Sequence, residues 1–208
     1  MFLPLPDDRL PERFVRCIVG LALFGLGISM FLAAGVGVAP WDVFHQGLSR
    51  RTGIPVGIII EITGVIILLL WIPLREKLGW GTVLNAIEIG LVVYLLSDRM
   101  PHTPHLWLRV PYMLGGLLAI AIGSGLYIGA GLGSGPRDGL MLGISKRGIS
   151  LRVARTGIEV GVLIVGLLLG GSIGVGTVAF TFGIGPLVQF FLPRLRLSHD
   201  VTVLANAH

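Results

Sequence analysis

Asp42, Asp138, Glu61, Glu88 and His45 are the side chains whose type and placement could do chemistry, because each interrupts or borders a long apolar run. A carboxylate in apolar surroundings holds its proton more tightly than in water and can exchange it near neutrality. It can also bind a cation or an amine. Asp42 and Asp138 end the same pattern, Gly-x-Gly-x-x-Pro-x-Asp, at 35–42 and at 131–138. Pro at a first helical position and Asp two residues later describe a helix start, where an acid meets the positive end of the helix dipole and free amides. Two readings therefore stand side by side: paired carboxylates facing a shared cavity, or two helix caps. His45 follows Asp42 by three residues and shares its helical face, which suits a pH-sensitive hydrogen bond. It lacks the further ligands a metal site needs. An ionisable group inside a span is costly and functional by default. Glu88, one turn beyond Asn85 and without a basic neighbour in sequence, is the expected proton carrier, and Glu61 is a second candidate. Glu159 follows Arg155 by four residues and reads as a local ion pair. Gln189 is a hydrogen-bonding residue of the last apolar run, and Arg137 reads as a determinant of topology.

These residues sit in a chain dissolved in lipid. Of 208 residues 53% are hydrophobic and 13% charged, and the mean hydropathy is +0.88; soluble domains carry about 25% charge. Crossing the hydrocarbon core takes about 20 apolar residues. The apolar runs predict six helices near 14–35, 54–74, 81–98, 111–131, 153–170 and 175–193, and no strand alternation persists. The first run outlasts a signal-peptide core and reads as a retained helix. With the N-terminus inside, twelve of the 16 Lys and Arg fall on the inner side and four on the outer, which predicts cytoplasmic termini. A polar tail covers 195–208, and His102 and His105 read as loop residues. The net charge of +5 is therefore about orientation, and no nucleic-acid partner is expected. One cysteine, Cys17, forms no internal disulfide, and no zinc-ligand set or enzyme signature is present. No cofactor is expected.

The chain matches itself. Gly35–Asp42 lies over Gly131–Asp138 at an offset of 96, and Gly79-Trp80-Gly81-Thr82-Val83 lies over Gly174-Val175-Gly176-Thr177-Val178 at an offset of 95. Three spans per copy is an odd number, so the copies (about 12–100 and 108–194) insert upside down relative to one another. Segments 40–51 and 136–147 are too short to cross, and each reads as a re-entrant half-helix or an interfacial amphipathic helix. The second copy departs from the first by placing Arg137 where Trp41 stands, and Met141 where His45 stands.

The residues Gly35-x-Gly37-x-x-Pro40-Trp41-Asp42-Val43, Gly47-Leu48-Ser49, Thr52-Gly53 and Gly79-Trp80-Gly81-Thr82 with Asn85 resemble the YczE/YyaS/YitT-like family of bacterial integral membrane proteins, over residues 12–194. The resemblance implies an inner-membrane protein of about five or six spans and carries over no catalytic residue. The expected fold is all-α: one polytopic membrane domain of six spans in two inverted three-helix repeats. Inverted repeats of this kind place a ligand near the midplane in secondary transporters. The expected function is a small, proton-coupled secondary transporter with a site lined by Asp42, Asp138, Glu88 and His45. A non-transporting scaffold or regulatory partner is the alternative. Membrane lipids, a small solute and a second copy of the chain are the partners this reading allows.

Overall fold

The computed structural model describes residues 2–101 and 105–197. His102 and most of the tail, residues 198–208, lie outside them. Among the described residues eight helices follow one another: α1 (Leu10–Ala34), α2 (Pro40–Thr52), α3 (Val56–Leu74), α4 (Trp80–Leu96), α5 (Leu106–Gly129), α6 (Pro136–Ser145), α7 (Leu151–Leu168) and α8 (Val175–Leu195). Among the described residues there is no strand, only an isolated bridge between Phe2 and Leu78. Local chemistry sets the boundaries. Pro40 and Pro136 open α2 and α6, and Gly35 and Gly53 end α1 and α2 at positive φ, where glycine carries no steric penalty.

Among the described residues four helices are long and apolar enough to cross a membrane: α1, α3, the part of α5 from Trp107 to Gly129, and α8. The sequence predicts six crossings, and the other two positions are filled by α4 and α7. The first is a 17-residue apolar helix. The second has 18 residues but carries Arg152, Arg155 and Glu159 in its first half.

α1 and α5 cross antiparallel at the centre of the molecule. Their contact is made of small residues, which let membrane helices approach closely. Gly20 lies against the backbone of Gly123 and Tyr127, and Gly27 against the backbone of Gly116. Gly20 and Gly116 are 96 residues apart, as are Gly27 and Gly123, so the crossing obeys the offset found in the sequence. α4 packs on the outer side of α1 and α8 on that of α5, while α2 packs on α7 and α6 on α3.

The two self-matching sequence blocks dock on each other. The segment after α1 lies on the start of α8, where Gly176 N–H donates to Val36 O at 2.8 Å; the segment after α5 lies on the start of α4, where Gly81 N–H donates to Leu132 O at 2.9 Å. Gly37 and Gly133 take φ of +100° and +126°, and a side chain at either would strike the opposing glycine backbone. The starts of α4 and α8 are closed alike: Thr82 Oγ1 accepts from Gly79 N–H at 3.2 Å and Thr177 Oγ1 from Gly174 N–H at 3.3 Å.

One pairing has no counterpart. α3 and α4 lie tightly together, with Gly57 under Tyr94, and Glu61 and Gly57 over Gly90. No comparable packing joins α7 and α8 among the described residues, and nothing lies within 4 Å of a Cβ placed on Gly185.

A side chain at the central crossing should be felt and one on α7 should not. Gly27→Val should lower stability by roughly 1–3 kcal/mol through overpacking. Gly157→Ala, with open space around it, should leave the melting temperature in detergent unchanged or higher.

Candidate functional site

The two short helices aim their starts at a common space. A cavity of about 530 Å³ lies at the junction of all eight helices, and Pro40–Asp42 of α2 and Pro136–Asp138 of α6 both line it. Volumes of this order hold small molecules. α2 ends at the C-terminal end of α7, where Arg51 Nε reaches Leu169 O at 3.4 Å and Arg50 reaches Gly170 O at 2.5 Å. α6 ends at the C-terminal end of α3, where Arg147 bonds the carbonyls of Pro73 and Leu74. Arg50, Arg51 and Arg147 thus bond carbonyls at the end of a long helix, while Lys146 pairs with Glu76 at 2.8 Å. Trp71 holds the start of α6 by donating from Nε1 to Pro136 O at 3.0 Å, and its ring occupies the space left by Gly139.

Arg137 and Trp41, the position at which the two sequence copies differ, meet across the cavity. The Arg137 guanidinium carbon lies 4.9 Å from the Trp41 ring centroid, a cation–π distance. Arg137 is therefore part of the cavity wall and not only a topology determinant, which corrects the sequence reading. It lies within electrostatic reach of both Asp42 and Asp138.

The two aspartates are held differently. Asp42 is buried, with Oδ1 3.2 Å from Nδ1 of a fully buried His45. His45 Nε2 and Trp41 Nε1 are buried without hydrogen-bond partners among the described residues. α2 does not cross the membrane, and burial within the protein pushes the His45 ring below its ordinary range, partly countered by the Asp42 hydrogen bond. Asp138 is enclosed by protein yet open to the cavity, and Oδ2 accepts from the Tyr127 hydroxyl at 3.3 Å. The partners are copy-specific: Met141 stands opposite His45 in the alignment, and Phe31 opposite Tyr127. Both aspartates are thus cavity residues in the first turn of a helix, and among the described residues neither accepts a backbone amide there.

The remaining candidates are not brought there. α4 turns Asn85, Ala86 and Ile89 to the cavity, and Glu88 is not among the lining residues; it lies within electrostatic reach of Cys17 on α1. Glu61 packs against Gly90 in the α3–α4 contact. His45 stands behind Asp42 and not in the wall. Of the expected site residues, Asp42 and Asp138 line the cavity, while Glu88, Glu61 and His45 do not; the face shared by residues 85, 86 and 89 is centred about 100° around the helix from 88. Arg155 and Glu159, an ion pair of 3.1 Å, do line the cavity, as does Gln189. Sequence reasoning missed Tyr127, because a tyrosine in a glycine-rich apolar helix carries no signal of its own. Arg137 had one, since it breaks the repeat.

Fold and cavity define the class, a polytopic α-helical membrane protein. The chain belongs to DUF6198, a family of unknown function whose model matches residues 11–193. It is 38% identical over 184 residues to an uncharacterized protein of Haemophilus influenzae, covering 88% of this chain and 84% of that one. Two Bacillus subtilis proteins bear out the resemblance seen in the sequence. The uncharacterized membrane protein YczE is 31% identical over 90% of this chain and 88% of its own, and the uncharacterized protein YyaS is 29% identical over 84% and 90%. No solved structure matches the chain.

The unequal aspartates should respond unequally to substitution. Asp42→Ala leaves a buried imidazole without a partner and should cost about 1–3 kcal/mol, whereas Asp138→Asn should stay within about 0.5 kcal/mol. Because the His45 ring titrates lower in the fold than in the unfolded chain, the unfolded chain binds more protons as pH falls below about 6.5. Stability should decline there, and His45→Gln should flatten that dependence in melts followed across pH.

Proposed function

We propose that the protein is a small secondary transporter of the bacterial inner membrane, built from two inverted repeats of three spans and one re-entrant half-helix each. The observation that carries this reading is the central cavity entered by the starts of both half-helices, a place where transporters put ligand sites. The reciprocal docking of the repeated blocks supports the inverted pairing. Matched contacts at the α1–α5 crossing, 96 residues apart, support it too. α4 and α7 complete six crossings, and the polar residues of α7 face the cavity in place of lipid.

The unmatched seam supports alternating access. α3 and α4 close one side of the cavity, while the space between α7 and α8 leaves the other open past Arg155, Glu159 and Gln189. By the excess of basic residues on the inner side, that opening faces the cytoplasm, as do both termini. The opposite state would exchange the two seams. Protons are the proposed coupling ion. The Asp42–His45 pair is their proposed carrier in place of Glu88, because it borders the cavity. No chemical transformation is proposed, and the solute and surrounding lipid are the partners.

The test is side-specific labelling in sealed vesicles, on a background in which Cys17 is replaced by Ala. Asp138→Cys and Gln189→Cys should react with an impermeant thiol reagent added from the cytoplasmic side. If both stay inert in folded protein, the cavity is closed to water from that side, the transporter reading fails and the scaffold reading takes its place. Glu88→Gln should leave labelling at both positions unchanged.

A further inference from the structure

We infer that the cavity recognises a zwitterionic solute of amino-acid type, with its carboxylate on Arg137 and its ammonium on Asp138. This rests on the transporter reading and adds the class of solute to it.

Hydrogen-bonding capacity that the protein leaves unspent points to this chemistry. A guanidinium carries five N–H donors in a planar fork. Among the described residues Arg137 makes no hydrogen bond and no ion pair; its contact is the face of Trp41. Stacking on an aromatic ring fixes the plane of the guanidinium and leaves its edges free, the geometry that receives a carboxylate through two parallel hydrogen bonds. The other cation of the wall, Arg155, is already paired with Glu159. On the acidic side, Asp42 is taken up by His45. Asp138 is open to the cavity and has one oxygen on Tyr127, while Oδ1 has no hydrogen bond among the described residues. An available cation and an available anion therefore stand at adjacent positions of one helix start, in a space of about 530 Å³.

Charge balance narrows the solute further. The wall holds Arg137 and Arg155 against Asp42, Asp138 and Glu159, so a dianion would face an excess of negative charge. A simple amine would satisfy Asp138 but bring no acceptor to the guanidinium. A zwitterion answers both groups at once.

The experiment uses the purified full-length protein in detergent, with binding read from thermal stabilisation and tryptophan fluorescence. The probes are the twenty amino acids singly and, for those that bind, the decarboxylated amine and the deaminated acid. Phosphoethanolamine tests whether a lipid headgroup supplies the same charges. At least one amino acid should bind, and its amine and its acid should each bind at least tenfold more weakly. Arg137→Gln should make amino acid and amine equal, and Asp138→Asn should make amino acid and acid equal. If Arg137→Gln does not fold, Arg137→Lys should retain binding, weakened at least tenfold because an ammonium cannot form the fork. No binding of any amino acid, unweakened binding in Arg137→Gln (or, where that does not fold, in Arg137→Lys), or preference for phosphoethanolamine overturns the inference. An amine that binds alone, with residue 138 labelled from the cytoplasm, overturns the zwitterion but leaves the transporter reading standing. Absence of that labelling overturns the transporter reading itself.

Discussion

Non-helical backbone buried in protein must find its hydrogen-bond partners there, and the rest of this structure depends on how residues 35–39 and 131–135 do so. Each segment gives a carbonyl to the opposite half, Val36 to Gly176 and Leu132 to Gly81. The exchange works only because the facing positions are glycine: backbone meets backbone at Gly37 and Gly174, and at Gly133 and Gly79. Once the segments are held this way, Pro40 and Pro136 start helices at the centre of the molecule. The cavity between those starts follows from that placement.

The halves differ most where they meet at the cavity. Positions 41 and 137 match in the sequence repeat and face each other, so two identical copies would set like against like there. Two arginines there would repel, and two tryptophans would leave the cavity without its cation. Trp41 against Arg137 turns the same contact into an attractive stack. The same logic separates the acids, because His45 has no equivalent near Asp138 and Tyr127 none near Asp42. A large residue answers a small one elsewhere too: Trp71 fills the space over Gly139, while at the matching contact Gly166 lets the backbone of α2 come against α7.

The seams between helices set what the cavity can exchange with. Gly57 and Gly90 let α3 and α4 close backbone to backbone. The positions that match Gly57 and Gly64 on α7 are Arg152 and Glu159, whose side chains cannot enter such a contact. α7 therefore keeps Arg155 and Glu159 at the cavity, paired with each other at 3.1 Å.

By itself the sequence determined that the chain lies in a membrane, that it is helical, where its helices begin and end to within a few residues, and that Asp42 and Asp138 belong to matching helix starts. These follow from composition, run length and glycine-proline punctuation, which act over a few residues at a time. It also disclosed the repeat, although not that the repeated blocks bind one another. Only the tertiary structure decided which charged groups share a space. Glu88 and Glu61 are as conspicuous in the sequence as Asp138, yet helix rotation turns one toward α1 and sets the other, half-buried, against Gly90. Arg137 and Tyr127 enter the site because α6 packs on α3 and α7, and α5 on α1 and α8. Rotation about a helix axis is fixed by packing against neighbours, and no short stretch of chain encodes it.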